Sequence, residues 1–483
     1  MTRPRASSLF VLVVLLALAG CATRPVNPPI TKLAPTEGYR LGNRPQVLRT
    51  PDALVILTFS GGGTRAAAFS YGVLEVLRKT EAVGADGRRL RLIDTVDAIT
   101  GVSGGSFTAL AYGLYGERLF SEYETRFLKR NVQGELTTRV LTPTNWPALA
   151  SDTWGRAEMA AQLYDEILFE GKTYADLMRG DGPFIAVMAT DISSGSRVGF
   201  NQSMFDILCA DLSSFRLARA ATASSAVPLV FSPITINNYG GTCGFKFPDW
   251  MAKIADPANP PRPAARAIKR MEEMIEFGDG KARPFLHLVD GGLADNLGMR
   301  AVLEVLEEFE AARLRGVPTP LDNVKRIVVV VVNSLSVPTT NWDQSERPPG
   351  NIEILIKATG VPIDRYSSET VELLRDMVAR WDLMRRVEES GVLNNTRDPV
   401  LAELRNAPSA RLYAIDVSLP RLTDPAEFAY LNDLPTSFVL PPEAVDRLRA
   451  AAAKIMLDSP DFQRLLRDIG ARIVDTPSPP APK

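Results

Sequence analysis

The sequence predicts an α/β fold: a mostly parallel, doubly wound sheet flanked by helices in a three-layer sandwich. Three observations carry that prediction. Ala53–Phe59 (A-L-V-I-L-T-F) is a continuous apolar run, the pattern of a strand buried on both faces of a parallel sheet. Similar runs recur along the chain with helical stretches between them, as crossover units around one sheet require. Two of the runs end in glycine turns that open straight into helices: S-G-G-G-T-R at 60–65 and G-V-S-G-G at 101–105.

The elements follow in order. Arg3 and Arg5 precede an apolar run at 9–19, too short for a comfortable bilayer span and laid out as a signal peptide. It ends in L-A-G-C, which resembles the lipobox of bacterial lipoproteins. That resemblance implies a signal peptide at 1–20 and lipidation of Cys21, whose acyl chains would anchor the protein to a membrane. Ala22, where an aspartate would signal inner-membrane retention, implies the outer membrane. Residues 21–50, rich in proline and polar side chains, are expected to form a tether.

A catalytic domain is expected over 51–335, with strands at 53–59, 92–100, 183–190, 285–289 and 324–332. An insertion near 248–284 holds a proline cluster and then an amphipathic stretch at 262–278 with Ile268, Met271, Met274 and Ile275 on one face. That stretch reads as a surface helix packed on the domain, with a lid or membrane-contact helix as the alternative. An α/β extension over 336–474 carries one more strand at 411–417, and 475–483 is a proline-rich disordered tail.

Composition narrows the function. The net charge of −1 shows no basic excess, which argues against a nucleic-acid partner. Besides Cys21, the chain has only Cys209 and Cys243, and export to an oxidising compartment predicts a disulfide between them. One histidine and no ligand-like spacing give no metal site, and no cofactor is expected.

A strand, then G-V-S-G-G, then a helix is the setting of a nucleophile elbow, with Ser103 as nucleophile. The helix start beyond it would aim backbone N–H groups at a developing oxyanion. The 60–65 turn admits two readings. Gly61-x-Gly63-x-x-Ala66 fits a loose dinucleotide fingerprint, but no acidic residue closes the second strand, and Asp94 and Asp97 lie too early. An oxyanion loop is therefore the preferred reading.

A serine nucleophile needs a base. His287 lies inside the 285–289 strand, so alternation points it away from Asp290 and, we expect, under a helix. Asp290 opens D-G-G directly after that strand, where functional groups gather in α/β sheets. That leaves Asp290 to accept the Ser103 proton directly. Asp191 is expected to fix a loop, Asp295 and Asn296 to serve as turn or cap residues, and Ser224 and Ser225 to line or support the pocket.

With these residues in hand, the sequence resembles the patatin-like phospholipases. Four pieces match in order: S-G-G-G-T-R at 60–65, G-V-S-G-G at 101–105, A-T-D-I-S-S-G at 189–195 with A-R-A-A-T-A-S-S-A-V-P at 218–228, and D-G-G at 290–292. Ala66 departs from the family, which has glycine after the basic residue. The resemblance implies a serine–aspartate dyad of Ser103 and Asp290, and an oxyanion hole from Gly61, Gly62, Gly63, Arg65 and Gly104. It implies hydrolysis of carboxylic esters in phospholipids or other acyl lipids through an acyl-enzyme, without a metal. Two alternatives remain open: an acyltransferase using the same dyad, and a non-catalytic lipid-binding or envelope-assembly lipoprotein.

Overall fold

The computed structural model describes residues 22–480 except 45–47, 85, 86, 88, 248–264, 315, 320, 337–341, 396 and 399–403. The signal-peptide run, Cys21, the proline cluster of the insertion and the last three residues lie outside the described residues.

The strands are β1 (Ala53–Phe59), β2 (Thr80–Val83), β3 (Arg89–Arg91), β4 (Ala98–Val102), β5 (Phe184–Asp191), β6 (Arg197–Phe200), β7 (Ile234–Asn237), β8 (Phe285–Asp290), β9 (Arg326–Asn333), β10 (Arg411–Ser418) and β11 (Arg472–Ile473). The helices that matter here are α1 (Gly63–Arg78), α2 (Gly104–Tyr115), α3 (Arg156–Tyr164), α4 (Leu217–Ser225), α5 (Ala265–Phe277), α6 (Arg300–Leu314), α7 (Asn351–Glu389) and α8 (Pro442–Asp458). Among the described residues the main sheet has the order β10-β9-β1-β4-β5-β8-β7, with β6 paired to β5. β10, β9, β1, β4 and β5 run parallel; β6, β7 and β8 add antiparallel pairs at one side.

Side-chain alternation sorts the strands into two cores, which makes the sandwich three-layered. Leu57 and Phe59 of β1 join Val328, Val330 and Val332 of β9 in one core, under α1, α2 and α8. Leu54, Ile56, Ile327, Val329 and Val331 face the other, under α6 and α7. The unbroken apolar run Ile327–Val332 of β9 is therefore what a strand covered on both faces needs.

Several expectations need correction. β4 starts at Ala98, because Leu92–Thr95 is a 3-10 turn; the buried Asp97 then accepts the N–H groups of Arg49 (2.6 Å) and Val55 (2.7 Å). The proline-rich 22–44 stretch is docked, not a free tether. Ile30 N–H donates to Cys209 O at 2.8 Å, Asn27 exchanges side-chain hydrogen bonds with the Asn237 backbone (2.8 and 2.9 Å), and buried Tyr39 stacks on Phe184. Proline favours extended backbone, which suits a strap as well as a linker. The tail is pinned too: Ser478 N–H donates to Glu81 at 2.7 Å. On α5, Met271 and Phe277 are buried and Arg266 pairs with Glu307 of α6, while Ile275 points outward, off the expected apolar face. Cys209 and Cys243 are joined as a disulfide with Cα atoms 5.5 Å apart.

Candidate active site

The site forms where two strands meet end to end. Val102, the last residue of β4, pairs with Met188 of β5, and Asp290, the last residue of β8, pairs with the next residue, Ala189. β6 occupies the opposite edge of β5 at both positions. β4 and β8 therefore share one edge and run toward each other, with Ser103 and Asp290 at the gap. Asp290 closes its strand as expected, and that strand, β8, is one of the antiparallel members of the sheet. Gly291 makes the close approach possible: a Cβ there would lie 2.2 Å from Met188 O and 3.1 Å from Val102.

Ser103 sits at φ 47°, ψ −122°, a conformation strained for a residue with a side chain. Its surroundings hold it there. Ser103 N–H donates to Ser224 Oγ at 2.8 Å, and Ser224 Oγ donates to Met188 O at 2.6 Å. Ser103 O accepts from the N–H (3.0 Å) and hydroxyl (2.6 Å) of Ser106. Ser224 thus supports the turn, as one of the two roles expected for it. Its helix α4 is fixed by a buried ion pair between Arg219 and Glu158 of α3 at 2.8 Å. The end of α4 also places the aspartate: Ala226 O accepts Asp290 N–H and Ser224 O accepts Gly291 N–H, each at 3.0 Å.

Burial pushes the Asp290 carboxyl up to about 6, while the Gly292 N–H (2.8 Å to Oδ1) and the facing Ser103 hydroxyl pull it the other way. Burial raises Asp97 to about 6 as well, but that carboxylate lies before β4 and faces backbone N–H groups. Of these two carboxyls, Asp290 is the one whose raised basicity stands beside a candidate nucleophile. Asp191 is a loop fixer: it accepts from Ser194 Oγ at 2.7 Å and pairs with Arg283.

The glycine turn after β1 closes the other side of the site. A Cβ on Gly61 would lie 3.3 Å from the Ser103 Cβ. Gly61 N–H, expected in the oxyanion hole, is already bonded to Asn296 O at 3.0 Å, so its role is to leave room. Among the described residues, no hydrogen bond takes the N–H groups of Gly62, Gly63 or Gly104. All three lie at helix starts, where N–H groups lack intrahelical acceptors and the dipole favours an anion. The two turns interlock: Gly105 N–H donates to Ser60 O at 3.2 Å, and a Cβ on Gly104 would lie 2.0 Å from Gly63 O.

Arg65 holds the turn from behind. Its guanidinium is buried and donates to Ser334 O (2.9 Å), Leu434 O (2.6 Å) and Thr436 Oγ1 (3.1 Å). Burial lowers its pKa to about 10. Thr64 N–H donates to Ser437 O at 2.8 Å. The far C-terminal region thus clamps the turn, a role that sequence reasoning missed. Ser334 follows a strand end and was findable on that ground; L-P-T-S at 434–437 offers no signal.

His287 is on the opposite side of its strand from Asp290, as alternation requires. It is not under a helix, however. It is exposed in the outer β7–β8 pair, with Nδ1 2.9 Å from Thr235 Oγ1. Asn296 is more than a cap. Its side-chain Oδ1 lies 2.6 Å from where a Gly61 Cβ would stand, and its amide reaches Ser367 of α7 at 3.4 Å.

Among the described residues, no helix is long and apolar enough to cross a membrane. No curated protein sequence matches the chain significantly. The fold is similar to human GIVD cytosolic phospholipase A2, at 13% identity over 87% of this chain and 62% of that one, with a TM-score of 0.42. The same enzyme in complex with methyl γ-linolenyl fluorophosphonate gives 12% identity, 87% and 59% coverage, and a TM-score of 0.41. VipD from Legionella pneumophila gives 12% identity, 95% and 74% coverage, and a TM-score of 0.29. The chain spans about three fifths of the length of the human enzyme. The family model for patatin-like phospholipase matches residues 57–303, just over half of the chain, and takes in both glycine turns, Ser103 and Asp290. This chain belongs to the patatin-like phospholipase family.

Proposed function

We propose that this protein is a lipid acyl hydrolase that cleaves carboxylic esters of phospholipids or related acyl lipids with a Ser103–Asp290 dyad. The observation that carries the reading is the end-to-end meeting of β4 and β8, which sets a strained serine against a carboxylate whose basicity burial has raised.

In the first step Asp290 takes the Ser103 proton as Oγ attacks the acyl carbonyl. The N–H groups of Gly62, Gly63 and Gly104 receive the negative charge on the carbonyl oxygen. Asp290 then gives the proton to the departing alcohol, leaving an acyl-serine. In the second step Asp290 takes a proton from water, hydroxide attacks the ester, and the proton returns to Ser103 as the fatty acid leaves. Arg65 fixes the donor loop from behind. In this reading Cys21 is lipidated and holds the enzyme on the outer membrane that supplies its substrate.

An acyltransferase would use the same first step, with an alcohol replacing water in the second. The test is fatty-acid release from phospholipid vesicles, together with mass analysis after an alkyl fluorophosphonate. Release and a phosphonyl adduct on Ser103, both lost in Ser103→Ala, are expected. Acyl transfer to an added alcohol without fatty-acid release would assign the transferase. Neither product nor adduct would leave the non-catalytic lipid-binding reading.

A further inference from the structure

We propose that the 227–230 turn and Trp146 form the surface by which this protein rests on a lipid bilayer, and that the docked N-terminal strap delivers the chain to that bilayer beside them. The proposal rests on the lipid hydrolase reading for its purpose, since it states how an acyl lipid reaches Asp290.

The turn is built to present apolar side chains. Residues 220–245 contain no charged side chain. Within them Val227, Leu229 and Val230 are 40, 60 and 56% exposed. Leu229 has φ 74°, a left-handed conformation that disfavours any residue with a Cβ. Arg156 holds it, donating to Leu229 O at 3.0 Å. Glycine would serve a turn that needed geometry alone; leucine adds an apolar side chain directed at solvent. The turn also adjoins the site, because Ala226, the residue before Val227, accepts the Asp290 N–H.

The strap arrives at the same place. Ala22 O accepts a hydrogen bond from Ser151 Oγ at 2.5 Å. Ser151 lies in the short stretch between Trp146, 56% exposed, and Arg156, which holds Leu229. Gly155 and Ala157 press against Ser232 just beyond the turn. Residues 146–157 therefore tie together Trp146, the strap's first described residue and the apolar turn. The strap's first described residue, Ala22, is thus held on this face, where an acyl anchor carried by the strap would meet the bilayer. The Trp146 indole N–H is already bonded to Val140 O at 3.1 Å, so its ring can enter a lipid interface without an unmet donor.

The test reads binding without turnover. The chain from Ala22 onward, carrying Ser103→Ala and lacking the acyl anchor, is sedimented with phosphatidylethanolamine–phosphatidylglycerol vesicles. Leu229→Asn with Val230→Glu, and separately Trp146→Glu, should weaken partitioning by about tenfold or more. Val83→Glu, at an exposed residue of β2, should leave it unchanged. Thermal melting checks that each variant is folded. Should the variants fail to fold, brominated acyl chains provide a second reading on the unsubstituted surface. They should quench tryptophan fluorescence, and Trp146→Phe should remove most of that quenching. Unchanged partitioning in the apolar variants, equal loss in Val83→Glu, or quenching that survives Trp146→Phe would overturn the proposal. So would a dimer that Leu229→Asn with Val230→Glu converts to monomer in a chain that ignores vesicles; that result would assign the face to a second copy. An enzyme that binds vesicles but releases no fatty acid with Ser103 intact would defeat the hydrolase reading and leave this surface standing.

Discussion

Ser103 and Asp290 stand at the facing ends of two strands that approach each other along one edge of β5. Their relation is set by backbone pairing, not by flexible loops, so replacing either side chain should remove chemistry without moving the other. Asp290→Asn should lower turnover by about a thousandfold or more, the scale of losing a general base and its partner. Steady-state hydrolysis of a medium-chain ester checks this, and unaltered circular dichroism shows that the fold survives.

The same substitution should stabilise the protein, with a definite pH dependence. The folded pKa of Asp290 is raised to about 6, so the native state binds the proton more tightly than the unfolded chain does. The sign follows: native stability falls as pH rises from about 4 to about 6, and the penalty is fully present above that. Asn removes the charge. Melting temperature should rise in Asp290→Asn at pH 8, by the equivalent of about 1–3 kcal/mol, and differ little from wild type at pH 4.

Activity should track the ionised carboxylate. With no histidine in the dyad, kcat/KM should climb through an apparent pKa near the value of about 6 that burial gives Asp290, and stay level to pH 8. A pH–rate profile measures it. His287→Gln should leave that profile in place, because His287 is exposed and bonds Thr235 on the other side of β8.

Arg65 makes three separate contacts from one fork, to Ser334, Leu434 and Thr436. Lysine keeps the charge but not the fork. Arg65→Lys should therefore loosen the donor loop, lowering kcat by roughly ten- to a hundredfold while KM for a soluble ester changes little.

Ser224→Ala removes the acceptor for the Ser103 N–H and the donor to Met188 O. Leaving buried groups unmet should cost about 1–3 kcal/mol in urea unfolding, and the strained Ser103 turn should relax, with loss of activity.

Much of this site was legible in the sequence because glycine turns at strand ends have few physical uses. Ser103 and the Gly61–Gly62–Gly63 turn were singled out from strand–turn–helix order, and Asp290 from its place at a strand end once His287 was set aside. Strand direction was not legible: an apolar run such as 285–289 looks the same parallel or antiparallel, so the end-to-end meeting of β4 and β8 could not be anticipated. The occupied Gly61 N–H depends on Asn296, more than two hundred residues away. The clamp at 434–437 lies still farther along, in a stretch with no marked pattern. The docked strap was missed because proline and polar residues suit both a linker and an extended segment that pairs through side-chain amides.

The most direct measurement compares four chains on one ester and one phospholipid: wild type, Ser103→Ala, Asp290→Asn and His287→Gln. The account predicts that Ser103→Ala and Asp290→Asn are inactive on both substrates, and that His287→Gln matches wild type. A folded His287→Gln chain without activity, or a folded Asp290→Asn chain that keeps it, would contradict the Ser103–Asp290 dyad.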